Sequence, residues 1–298
     1  MSGKPERHAF ESGRFIVEPR KKLNLSKRDP GDKGGLENKK AGKKALCNDV
    51  SELAEAQELL WANGRRAVLI IFQALDAAGK DGSIKHVMSG VNPQGVDVNA
   101  FKAPNSEELK HHFLWRPMQK LPERGRIAIF NRSYYEEVLV VRVHPEFLDA
   151  QATPSRLEGK PLDELWASRF DEINAFEKHL VDNDITVIKF FLHVSKEEQR
   201  ERFLDRLNEP GKLWKFSSAD LRERGYWDEY QQVYEETLQA TSTDAAPWYV
   251  IPADHKWYAR AAIADIITRR IEGLGLEPPQ PTEEQKANVG KYREALEK

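Results

Sequence analysis

Cysteine is nearly absent: among 298 residues only Cys47 carries a thiol. One thiol cannot form an internal disulfide framework, so the fold must rest on its core, and the chain suits a reducing compartment. Net charge is almost absent as well, −2 at pH 7 from 46 Lys and Arg against 48 Asp and Glu. No global field draws such a chain to nucleic acid or to a membrane surface, so any anion site must be a local cluster of cations. No apolar run approaches the ~20 residues of a membrane span, and the first residues lack the apolar stretch of a secretory signal. The expectation is a cytoplasmic protein with neither nucleic acid nor membrane as partner. No Ser-His or Cys-His arrangement stands out as a nucleophile with its base.

What is present is one stretch around which the rest is organised. The apolar, β-branched run Ala67 to Phe72 leads through Gln73-Ala74-Leu75-Asp76-Ala77-Ala78-Gly79-Lys80 into a helical pattern from Gly82 to Ser89. Strand, loop of small residues and helix form the order that cradles phosphate. Small residues let backbone N–H groups turn toward the anion, the helix N-terminus adds partial positive charge, and Lys80 supplies a full one. The match to a Walker A loop has two departures, Ala74 where Gly is usual and Asp81 where Ser or Thr is usual. Asp76 and Asp81 flank Lys80. Two carboxylates beside a phosphate site suit Mg²⁺, which prefers hard oxygens; the alternative is that Asp76 caps the loop and Asp81 the helix.

Residues 1–45 show little apolar periodicity and carry 13 Lys or Arg against 6 Asp or Glu, which reads as a basic arm packing on the domain or on a neighbour; the alternative is an arm that helps hold a polyanion. A helix is expected from Asp49 to Ala62. Four further strands are expected at Val96–Phe101, Arg126–Phe130, Ile185–Leu192 and Trp248–Ile251. Helical patterns separate them at Ser106–Gln119, Ser133–Val141, Leu162–Asp182, Ser195–Leu207 and Asp220–Thr241, and Lys256–Glu272 follows the last strand. Such alternation implies a mostly parallel sheet covered on both faces. The main domain is expected over 46–273 and a tail, reading as a linker and then a polar helix, over 274–298.

Ligands of an open α/β sheet bind beyond the carboxyl ends of its strands. Lys102 follows the second strand, where a cation reaches a bound phosphate; His111 and His112 are adjacent rather than i,i+4 and read as surface or packing residues. After the third strand comes Asn131-Arg132, where a Walker B segment would carry an acid. Arg132 is suited to neutralising transferring oxygens, and Glu136 can return the missing carboxylate; plain caps at Asn131 and Ser133 are the alternative. After the fourth strand, Ser195 and Glu198 read as a capping box, Arg202 and Arg206 share a face, and Arg200 points elsewhere. Lys212-Leu213-Trp214-Lys215-Phe216 adds cations and aromatics to what reads as a lid over about 200–226.

Three segments together resemble the polyphosphate kinase 2 family, P-loop phosphotransferases related in fold to thymidylate kinase. They are Asp76 to Gly82, Phe130 to Val143, and Leu213 to Phe216 followed by Tyr226-Trp227-Asp228-Glu229-Tyr230. The resemblance implies a three-layer α/β/α fold with a five-stranded mostly parallel sheet and a helical lid. It implies Mg²⁺-dependent transfer of a phosphoryl group from inorganic polyphosphate to AMP or ADP, and a dimer or tetramer. Asp76, also the metal ligand, Lys80, Asn131, Arg132 and Glu136 are the expected catalytic set. Phosphate and nucleotide are expected to meet Ala77, Ala78, Gly79, Asp81, Gly82, Ser83, Lys85, Lys102, Arg142, Arg200, Arg202 and Arg206. The family's loop tolerates Asp81. Asn131, in place of the usual Asp, resembles the subgroup acting on both mono- and diphosphates. An ATP-dependent nucleotide kinase of the same fold, or a binding regulator without catalysis, are the rival readings.

Overall fold

Seven consecutive buried residues, Ala67–Gln73, form β1 at the centre of a five-stranded sheet. The computed structural model describes residues 10–151 and 153–298. The other strands are β2 (Val96–Ala100), β3 (Ile127–Asn131), β4 (Ile185–His193) and β5 (Trp248–Pro252), and the order is β2-β3-β1-β4-β5. Every pair is parallel. The central strands read as continuous apolar runs because both faces are covered. β2, with Asp97 and Asn99, is the exposed edge, and its polar residues discourage further pairing.

In chain order the helices are α1 (Lys39–Asn63), α2 (Lys80–Val87), α3 (Trp115–Met118), α4 (Val140–Val143), α5 (Leu162–Asp182), α6 (Lys196–Asn208), α7 (Ser218–Gly225), α8 (Trp227–Thr241), α9 (Lys256–Glu272) and α10 (Glu283–Leu296). α1 and α2 pack on α9, and α5 packs on α8, so the sheet lies between two helical layers.

The structure differs from the sequence expectations in several places. α1 starts ten residues earlier than its periodicity suggests, at an Asn38 cap that accepts from the Lys40 and Ala41 N–H groups. Its first buried positions are the small residues Gly42 and Ala45, which give little apolar signal. The helix expected over 106–119 is reduced to a 3-10 turn at Glu108–Lys110 and the single turn α3, where Pro117 removes a donor. Ser133–Val141 resolves into a 3-10 turn, Tyr134–Val138, and the short α4. Residues 220–241 divide at Tyr226 between α7 and α8.

Residues 1–9 of the expected arm lie outside the described residues. The remainder of the arm packs closely: Phe10, Phe15, Val17, Leu23, Leu25 and Leu36 join the main core. Ile16 bridges Tyr249 of β5 in antiparallel fashion, and the Val17 N–H donates to the Trp248 carbonyl at 2.9 Å, which covers the far edge of the sheet. Within β4, Lys189 is fully buried, and its ammonium donates to Glu177 at 2.5 Å, to the Tyr135 hydroxyl at 3.0 Å and to the Thr241 carbonyl at 2.7 Å. Among the described residues no helix is long and apolar enough to cross a membrane.

Candidate functional site

The parallel register of β1 and β3 sets Phe72 opposite Asn131, so the loop after one strand and the motif after the other emerge side by side. Both turn sharply. Ala77 and Arg132 adopt left-handed backbone with φ of 62° and 64°, a region that costs a non-glycine residue about 1–2 kcal/mol. The Arg132 N–H donates to the Phe72 carbonyl at 3.0 Å, which ties its turn to β1.

The phosphate loop is gripped from α6. Arg202 donates from one guanidinium nitrogen to the Ala77 and Ala78 carbonyls at 3.0 and 2.7 Å, and from the other to Ala253 and Asp254 at 2.6 and 3.0 Å. Its Nε donates to Glu198 at 2.7 Å, so all five N–H donors are engaged by protein acceptors. Gln199 adds a hydrogen bond to the Asp76 carbonyl at 3.0 Å. The Ser195 hydroxyl accepts from the Glu198 N–H, but the reciprocal half of the expected capping box is missing. Asp254 takes the Ser195 N–H and Arg202 takes the Glu198 carboxylate.

Lys80 opens α2, whose start no side chain caps; Asp81 accepts instead from the Asn131 amide at 2.6 Å. The Lys80 ammonium turns back onto the Ala74 carbonyl at 2.7 Å. Burial lowers its pKa to about 8, helped by Arg132 and opposed by Asp76, Glu136 and Asp81. Arg132 bridges two carboxylates, Asp76 at 2.7 Å and Glu136 at 3.2 Å, and Glu136 above all holds its pKa above the ordinary arginine value. Gln73 donates to the second Glu136 oxygen at 2.8 Å and so fixes that carboxylate.

Two cavities open here. One, of about 570 Å³, is lined on the loop side by Asp76, Ala77, Gly79, Lys80, Asp81 and Gly82. Lys102, Asn131 and Arg132 line it from the neighbouring strand ends, and Arg202, Arg206, Lys212, Lys215 and Lys256 from the opposite side. The other, of about 550 Å³, has apolar walls from Phe101, Pro104, Val140, Val141 and Phe147, with Glu136 inside. Phe101, Lys102 and Arg132 belong to both.

The remaining expected residues lie elsewhere. Ala78 and Ser83 are buried behind the loop, and Lys85 is exposed on α2. Arg142 pairs with Glu236 and stacks over Trp166 and Phe170. Arg200 pairs with Glu197 and Glu201 on the outer face of α6. Sequence reasoning missed Gln73, Gln199 and Lys256. Reading the end of the fifth strand as the first four were read leads to Lys256, and Gln73 shows as a polar residue ending an apolar strand. Gln199 gives no signal of its own.

The family model for Polyphosphate kinase 2 (PPK2) matches residues 36–277. An ADP-polyphosphate phosphotransferase of Rhodopseudomonas palustris is 47% identical over 96% of this chain and 99% of its own. An AMP/ADP-polyphosphate phosphotransferase of Meiothermus ruber is 43% identical over 90% of this chain and 96% of its own. Among solved structures, that of polyphosphate kinase 2 from Arthrobacter aurescens TC1 superposes with a TM-score of 0.82 at 38% identity, covering 93% of this chain and 95% of that one. With the α/β fold and the loop after β1, these matches make the chain a member of the polyphosphate kinase 2 family.

Proposed function

We propose that this protein transfers the terminal phosphoryl group of inorganic polyphosphate to AMP and ADP, forming ADP and ATP, and that the same site runs the reverse reaction. The observation that carries this reading is the meeting of two unlike cavities at Arg132. The cation-rich one suits a polyanionic donor, and the apolar-walled one suits a nucleoside whose phosphates reach toward Arg132. Phosphoryl transfer needs positioning and charge neutralisation more than a covalent catalyst. Lys80 and Arg132, which line the same cavity, supply that charge. Arg202 and Gln199 hold the loop carbonyls and Leu75 takes the Ala78 N–H, so the N–H groups offered to phosphate are those that follow, at the start of α2. Lys212, Trp214 and Lys215 sit on an exposed segment between α6 and α7, suited to closing over the donor and excluding water.

Mg²⁺ fits the donor set. Among the described residues no group of three His, Cys, Asp or Glu side chains forms a cage of its own, but Mg²⁺ typically takes one or two carboxylates together with substrate phosphates and waters. Asp76 and Asp81, on either side of Lys80, are the carboxylates that would hold it. When bound it neutralises charge on the phosphate oxygens. Asn131 keeps Asp81 in position through its amide while its carbonyl oxygen remains available to a metal-bound water. A homo-oligomer, dimer or tetramer, agrees with α10, where Val289, Tyr292 and Leu296 form an exposed apolar row at i, i+3 and i+7.

The test is a matrix of AMP, ADP, GMP and GDP against polyphosphate and ATP as donors, with Mg²⁺. Nucleotide product from polyphosphate without added ATP is expected. Product from ATP alone would assign the site to an ordinary nucleotide kinase, and tight binding without turnover would make the protein a regulator.

A further inference from the structure

The apolar-walled cavity lies between two others. On one side it shares Phe101, Lys102 and Arg132 with the donor cavity. On the other it shares Pro104, Leu109, Arg116, Glu137 and Gln151 with a small hollow of about 100 Å³. Among the described residues the small hollow and the donor cavity have no lining residue in common. A nucleotide whose phosphates reach Arg132 therefore turns its base toward the end that holds Gln151.

Gln151 follows the 3-10 segment Pro145–Ala150 and is held by a buried ion pair. Arg169 of α5 donates from one guanidinium nitrogen to the Glu137 carbonyl at 2.8 Å and to the Glu137 carboxylate at 3.4 Å. Its other terminal nitrogen donates to the Gln151 Oε1 at 2.7 Å. The Gln151 Nε2 donates in turn to the same Glu137 carboxylate oxygen at 2.7 Å. Arginine can only donate and a carboxylate only accept, so the amide has one orientation. Turned over, it would set donor against donor and acceptor against acceptor. The guanidinium is itself fixed, lying over the rings of Phe113 and Trp166 at 5.4 and 5.5 Å from their centroids. Anchoring the segment needs none of this, because Leu148 packs against the apolar cluster of Val141, Leu157, Leu165 and Trp166. Apolar packing cannot orient an amide, and the buried pair can.

With Arg169 and Glu137 each taking one bond, the Gln151 Oε1 keeps a second lone pair among the described residues. Glu146 and Asp149 add carboxylate acceptors to the same walls, so the cavity suits a base that donates from an exocyclic amino group. Resting on the nucleotide reading above, we propose that Gln151 selects the base, its Oε1 accepting from the 6-amino group of an adenine nucleotide. A 6-oxo purine sets its own oxygen against Oε1, and the pinned amide cannot turn over to offer Nε2 instead. A site built to pair with an amino group rejects the analogue that lacks it, because its own polar groups are left unpaired. Arg169 lines the small hollow but not the nucleoside cavity, so it is a positioning residue that acts through Gln151.

The experiment measures kcat and KM for AMP, IMP and GMP with polyphosphate as donor; IMP carries oxygen where AMP carries its 6-amino group. The wild type should favour AMP over IMP in kcat/KM. Gln151→Met removes the amide with little change in length and leaves the Arg169–Glu137 pair in place. Its KM for AMP should rise about tenfold, the worth of one hydrogen bond, while KM for IMP, for GMP and for polyphosphate holds. Arg169→Lys keeps a charge against Glu137 but loses the fork, so the amide can turn and the AMP to IMP preference should fall, again with KM for polyphosphate unchanged. An equal rise for AMP and IMP in Gln151→Met would make the residue wall packing alone, and that result, or no rise, overturns the proposal. An undiminished AMP preference in Arg169→Lys overturns the positioning role. A wild type that uses AMP and IMP equally well overturns base selection by Gln151 and leaves the polyphosphate reading intact. A wild type that phosphorylates no nucleotide from polyphosphate would instead refute the reading beneath.

Discussion

Lys80 is buried against the Ala74 and Leu75 carbonyls, and desolvation with Arg132 lowers its pKa from 10.5 to about 8. Its charge, which the proposed donor binding uses, is therefore lost at mildly alkaline pH. With a pKa of about 8 the ammonium is half deprotonated at pH 8 and only about one-tenth protonated at pH 9. Polyphosphate seated beside it favours the charged form and raises the pKa again. Because kcat/KM reports the free enzyme and kcat the complex, kcat/KM for polyphosphate should fall about tenfold from its plateau by pH 9, whereas the alkaline limb of kcat lies higher. Donor binding at pH 8 should take up about half a proton, measurable by calorimetry in buffers of different ionisation enthalpy. Stability has a matching sign. Between about pH 8 and 10.5 the unfolded chain binds more protons at this lysine than the folded one, so this group's contribution to stability rises with pH across that window. Below pH 8 the cost of burying the charge is fully present, and donor binding offsets it. Proton uptake near zero at pH 8, or coincident alkaline limbs for kcat and kcat/KM, refutes the reasoning.

Asn131→Asp sets a second carboxylate against Asp81, across what is now a 2.6 Å hydrogen bond, and raises the pKa of one of the pair. The ratio of AMP to ADP activity should change; an unchanged ratio removes Asn131 from substrate choice. Arg202→Ala deprives four loop carbonyls of their donors and should cost about 2–4 kcal/mol in urea unfolding, together with a higher KM for polyphosphate. A raised KM at unchanged stability would make Arg202 a phosphate ligand rather than a clamp. Lys189→Met leaves Glu177 buried with no cation and should cost about 3–5 kcal/mol, with much of the loss regained in Lys189→Met/Glu177→Gln. Equal stability of wild type and single variant would show that the network is not holding β4 to α5. Truncation after Gly275 removes the apolar row of α10 and should lower the mass seen by light scattering; an unchanged mass would exclude α10 from subunit contacts.

The sheet was legible because its strands are apolar runs with turn signals between them, and the strand-end rule then led to Asp76, Lys80, Lys102 and Arg132. The helices that misled are those whose periodicity is carried by small or polar residues. α1 hides its first turns behind Gly42 and Ala45, and the segment from 106 to 119 has helical composition but is interrupted at Pro117. Arg202 and Arg206 occupy one face of α6, as i,i+4 spacing requires. Spacing cannot tell that four of the five Arg202 donors are consumed by carbonyls distant in sequence, while Arg206 remains at the cavity. The arm has little apolar periodicity, and single residues such as Phe15 and Leu25 anchor it by being buried. Isolated anchors carry no period and are decided by the surface they meet.

The backbone at Ala77 connects these observations. Left-handed dihedrals favour glycine, and the departure at Ala74 makes this loop one glycine poorer than the usual pattern, yet alanine occupies the turn. The hydrogen bonds that oppose the strain come from outside the loop, from Arg202 to the carbonyls of Ala77 and Ala78 and from Gln199 to that of Asp76. A strained residue persists only where its surroundings over-determine it. The phosphate loop and α6 are therefore one energetic unit. The helix that carries Arg206 to the cavity also sets the phosphate loop, so the lid proposed above would have to pivot beyond Arg202. The exposed stretch between α6 and α7, where Trp214 is 77% accessible, lies beyond that point.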